Sequence, residues 1–74
     1  MLKYVVMDSD GYAYLDGKVQ TKLHKLGYHA ARANDEWLLF RITDPVTNGY
    51  KTEITFETTD HVLFDNYLKL LLED

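Results

Sequence analysis

Two periodicities alternate along the chain. Leu2, Tyr4 and Val6 alternate with Lys3, Val5 and Met7, the period of two expected of a strand. Asp8-Ser9-Asp10-Gly11 follows as a turn, because Asp and Ser bond local backbone and Gly accepts positive φ. Tyr12 to Leu15 then reads as a second strand of a hairpin. Val19, Leu23 and Leu26 stand at i, i+4 and i+7, which predicts a helix capped by Asp16 and stopped by Gly27. Tyr28 to Ala33 and Glu36 to Thr43 read as strands joined by Asn34-Asp35, with Trp37, Leu39 and Arg41 facing away from Leu38, Phe40 and Ile42. Asp44 to Gly49 reads as a loop ending in the hairpin dipeptide Asn48-Gly49. In the strand after it, Tyr50, Thr52, Ile54 and Phe56 are expected on one face, and Lys51, Glu53, Thr55 and Glu57 on the other. Thr58, Thr59 and Asp60 are N-cap types before a helix over Val62 to Leu72, with Leu63, Tyr67 and Leu70 beside Phe64, Leu68 and Leu71 as its apolar stripe.

The predicted order is ββαβββα, an α+β fold with one small antiparallel sheet and both helices on one face. All of residues 1–74 are expected to form a single small domain. From Lys18 to Leu72 the order of elements resembles that of the double-stranded-RNA-binding domain. That family carries basic residues at the start of its second helix, whereas the second helix here is acidic.

Composition narrows the function classes. The chain is 46% hydrophobic, too apolar for a disordered segment, and has no Cys, which excludes disulfides and thiolate chemistry. A domain of 74 residues buries only about 60% of its unfolded surface, so a partner chain or a second copy is an expected source of stability. No segment approaches the roughly 18 apolar residues of a membrane span, and no signal-peptide pattern opens the chain, so the cytoplasm is expected. The formal net charge of −4 is unevenly spread. Residues 17 to 34 hold Lys18, Lys22, Lys25 and Arg32 and no acid, a balance of +4. Residues 52 to 74 hold Glu53, Glu57, Asp60, Asp65, Glu73 and Asp74 against Lys69, a balance of −5.

Catalytic and metal chemistry find no complete constellation. A calcium loop with Gly11 at its sixth position would put Val6 and Gly17 where the anchoring carboxylates belong. Val5 to Gly11 is similar to the first motif of haloacid-dehalogenase-type phosphatases, but Tyr12 follows the Gly and the chain is too short for that fold. His24 and His29 are five residues apart, on a helix and a strand, unlike the i, i+4 spacing of a zinc helix. Ser9 is the sole serine, and the four glycines form no phosphate-binding fingerprint. The expectation is therefore no enzyme, no cofactor and no metal site.

Aromatics and charge point instead to binding. Tyr12, Tyr14 and Trp37 suit a core and an interface equally well, since Tyr and Trp bury area while keeping a polar end. The expected function is a non-catalytic protein-binding module, a small acidic inhibitor or adaptor of the phage or mobile-element type. Its docking residues would be Glu53, Glu57, Asp60 and Asp65 with Tyr12, Tyr14 and Trp37, met by a basic surface on a partner protein and blocking a nucleic-acid-binding site there. Two alternatives are a weak nucleic-acid-binding domain using Lys18, Lys22, Lys25 and Arg32, and a structural homo-oligomer such as a homodimer.

Overall fold

The computed structural model of the chain describes residues 2–44 and 51–73. Its elements are β1 (Val5–Met7), β2 (Ala13–Leu15), α1 (Gly17–Lys25), β3 (Tyr28–Ala33), β4 (Glu36–Asp44), β5 (Lys51–Thr58) and α2 (His61–Leu72). This is the predicted α+β order ββαβββα. The expected turn at Asn48-Gly49 and the position of Tyr50 lie outside the described residues.

The single expected sheet is divided in two. β1 and β2 form an antiparallel hairpin, while β3, β4 and β5 form a separate antiparallel sheet in that order. The division has a local cause. α1 lies along the outer edge of β3, where the Gln20 side chain takes the place of a neighbouring strand. Gln20 Nε2 donates to the Ala30 carbonyl at 2.7 Å, and the Ala30 N–H donates to Gln20 Oε1 at 3.1 Å. One amide side chain thus satisfies both outward backbone groups of an edge residue, as buried backbone requires.

Local chemistry sets the turns. Asp8 Oδ1 accepts from the N–H groups of Asp10 and Tyr12, both at 2.9 Å, and Gly11 takes φ +81°. Asn34 adopts φ 57° in the two-residue connection between β3 and β4, where a positive φ matches the strand twist. Asp16 caps α1 by accepting from the Lys18 N–H at 3.0 Å. Gly27, at φ +86°, turns the chain straight back into β3, and its carbonyl accepts from the Ile42 N–H at 2.8 Å.

A bulge in β5 changes which side chains enter the core. Leu39 pairs with Phe56 but Phe40 pairs with Ile54, so Thr55 is the extra residue. Directly opposed residues share a face, and the bulge reverses the alternation between them. Phe56 therefore faces inward with Leu39, while Ile54 and Thr52 face outward with Phe40 and Ile42. The expectation that Phe56, Ile54 and Thr52 share one face is corrected by this one residue.

The inner face carries Ala30, Trp37 and Leu39, and α2 packs across it. Phe64 stacks on Trp37 at 4.7 Å between centroids, and Tyr67 stacks on Phe56 at 4.2 Å. Tyr4, Val5, Ala13, Val19, Leu23 and Leu68 complete the core. The helix stripes are narrower than the sequence predicts. Leu26 caps α1 and is 53% exposed, because the Gly27 turn carries it off the inward face. On α2, Phe64 and Leu68 set the buried line, which leaves Leu63 and Leu70 outside it.

Candidate docking groove

The outer face of the three-stranded sheet is lined by Leu38, Phe40 and Ile42, all half-buried, with Ile54 52% exposed. At one end, the last turn of α1 and the Gly27 turn rise beside the sheet and form a wall. Between wall and sheet runs an open groove of about 920 Å³, lined by apolar Leu26, Phe40 and Ile42 and by Thr52, Lys25, His24 and His29. These lining residues include no carboxylate, and the wall carries Lys25.

His24 and His29 meet at the groove rim. His24 Nε2 lies 3.0 Å from His29 Nδ1, with ring centroids 5.2 Å apart and planes within 12°. Their five-residue spacing does not reveal this pairing. The signal that could have found it is Gly27: a helix stopped there returns at once as a strand, which brings the last turn of α1 beside the second residue of β3.

Of the four acids expected to dock, Glu53, Glu57 and Asp60 are exposed, and Asp65 is not. Asp65 is 1% exposed and points inward. Its Oδ1 accepts from the consecutive N–H groups of Lys3, Tyr4 and Val5 at 3.0, 2.6 and 2.9 Å, tying the start of the hairpin to α2. Burial pushes its carboxyl up, but these N–H groups and Lys69, 3.6 Å away, outweigh that and hold it below the usual carboxylate range. Asp60 is exposed but caps α2, accepting from Val62 and Leu63. Glu73 accepts from the Tyr4 hydroxyl at 2.6 Å and pairs with Lys3 at 2.9 Å. The hydroxyl and the ammonium lower the Glu73 pKa, and Glu73 in turn raises those of Tyr4 and Lys3. Glu57 is exposed on the outer face opposite Leu38, and Glu53 lies 4.0 Å from Arg41.

The other expected site residues divide in the same way. Trp37 is 2% exposed and belongs to the core, with its Nε1–H donated to His61 Nδ1 at 2.9 Å. Tyr12 and Tyr14 are exposed, with rings 6.4 Å apart, and neither lines the groove. Lys18, Lys22 and Lys25 are exposed along α1. Arg32 is withdrawn from that basic set: its guanidinium lies 4.7 Å over the Trp37 ring and its Nη1 is buried.

The chain matches no protein family, no curated protein and no solved structure. No helix among the described residues is long and apolar enough to cross a membrane.

Proposed function

We propose that this protein is a non-catalytic protein-binding module whose outer sheet face docks an apolar partner segment carrying carboxylates. The observation that carries this reading is the groove beside α1, with Leu26, Phe40 and Ile42 exposed to it and Lys25 as its charged group. Burying such a face on a partner removes apolar surface from water, and the lysine selects the sign of charge at its edge. The basic partner expected from sequence relied on the acid-rich stretch 52 to 74. Within that stretch Asp65 is buried, while Asp60 and Glu73 serve the chain's own backbone and side chains. The segment 17 to 34, which builds the groove wall, keeps three exposed lysines.

The test uses two substitutions at exposed apolar positions, Leu26→Asp and Ile54→Asp, which leave the core intact. Affinity capture from native-host lysate, read by mass spectrometry, identifies the partner retained by the unmodified chain. The reading expects each substitution to weaken binding of the purified partner at least tenfold, with the melting temperature unchanged. Retention of full affinity by both variants contradicts it. So does sub-micromolar binding of DNA or RNA at physiological salt, which would move the function to the lysines of α1.

A further inference from the structure

We infer that His24 Nε2 and His29 Nδ1 form a two-imidazole chelate for a late first-row divalent cation: nickel, copper or zinc. The inference stands apart from the docking reading and needs no partner protein. It starts from the 3.0 Å separation of the two ring nitrogens. Their centroids are 5.2 Å apart and their planes nearly coincide, so the rings meet edge to edge and share one proton. An imidazole binds a metal through an unprotonated nitrogen. A cation that displaces the shared proton converts this hydrogen bond into two ligand bonds.

The dimensions suit that exchange. With metal–nitrogen bonds of about 2.0–2.1 Å, two ligands at a right angle lie about 2.9 Å apart, and two at a tetrahedral angle about 3.3 Å apart. The observed 3.0 Å falls between these limits. Each ring must turn by roughly 40° to aim its lone pair at a common ion. Both side chains are exposed, so solvent makes room for that turn. The fold supplies the preorganisation, because the Gly27 turn, held to β4 by the Ile42 N–H, fixes the end of α1 against the start of β3. Among the described residues no third His, Cys, Asp or Glu completes a larger set, so water fills the remaining positions. Nitrogen ligands favour nickel, copper and zinc over calcium and magnesium, which require oxygen. The third histidine is differently placed: His61 Nδ1 accepts from Trp37.

Isothermal titration with nickel chloride and zinc sulfate at pH 7.5 tests the site in the full chain. The expected result is one ion per chain with micromolar affinity. His24→Ala and His29→Ala should each weaken it at least tenfold, His61→Gln should not, and magnesium should give no saturable heat. Thermal melts of each variant separate lost ligation from lost folding, and a copper(II) resonance spectrum of the unmodified chain should show coupling to two nitrogens. Absence of saturable binding below millimolar metal overturns the proposal. Unchanged affinity in either alanine variant does so too, because a chelate requires both rings.

Discussion

Replacing Asp65 tests how the hairpin is held to the rest of the fold. Asp65→Ala removes a carboxylate that accepts from three successive backbone N–H groups. Lys3 is exposed, so water can replace that acceptor for its N–H. Tyr4 and Val5 are 8% and 3% exposed, and their N–H groups would be left without a partner. A buried donor without an acceptor costs about 1–3 kcal/mol, so two together predict a loss of about 2–6 kcal/mol, toward the lower end where the backbone relaxes. For a chain of this length, with total stability of order 4–11 kcal/mol, that is a large fraction. Asp65→Asn keeps one accepting oxygen but loses the charge, and should cost about 1–3 kcal/mol. Urea denaturation followed by fluorescence of the single tryptophan, Trp37, measures both. The pH dependence adds a second test. The folded pKa of Asp65 lies below the ordinary 3.8, so its contribution is fully present above that value and lost as pH falls below it. The asparagine variant should therefore lose less stability than the unmodified chain between about pH 5 and about pH 2. A midpoint for Asp65→Ala within 0.5 M urea of the unmodified chain would refute this account of the hairpin.

Two further expectations use the same assay. Leu68→Ala, at a fully buried position, should cost about 2–5 kcal/mol, while Leu70→Ala, 65% exposed, should stay within about 0.5 kcal/mol; equal losses would mean that α2 packs through a different face. Gln20→Leu removes the amide that covers both outward groups of Ala30 and should cost about 1–3 kcal/mol, with faster amide exchange at Ala30; unchanged exchange there would contradict the edge-sealing role.

The order of elements was legible because each is written in local chemistry. The periodicity of Trp37 to Ile42, the cap at Asp16 and the stop at Gly27 all appear where expected. What escaped the sequence depends on contacts between distant segments. Asp65 looks like one more exposed acid of an acidic helix until the N–H groups of residues 3 to 5 converge on it. Trp37 heads a strand, which suits a surface as well as a core, until Phe64 covers it from α2. The bulge at Thr55 breaks no pattern within β5 and is visible only against β4. That bulge turns Ile54 out to join Phe40 on the outer face while Phe56 turns in. Its histidine pair needed the Gly27 turn to be read as a reversal of direction rather than only as the end of a helix.

The most direct test of the docking reading measures the sign of charge that the partner meets. The purified partner's association rate is followed by a surface biosensor from low to high salt, for the unmodified chain, for Lys25→Glu, and for Glu53→Lys with Glu57→Lys. Clustered rim charges act mainly on association rate, and salt screens them. A carboxylate-bearing partner at the groove predicts that Lys25→Glu slows association several-fold at low salt, with the difference vanishing at high salt, and that the double lysine variant associates as fast as the unmodified chain or faster. Slowed association in the double lysine variant, with Lys25→Glu unaffected, would contradict the groove and return the docking surface to the carboxylates of β5, which the bulge places on opposite faces of the sheet.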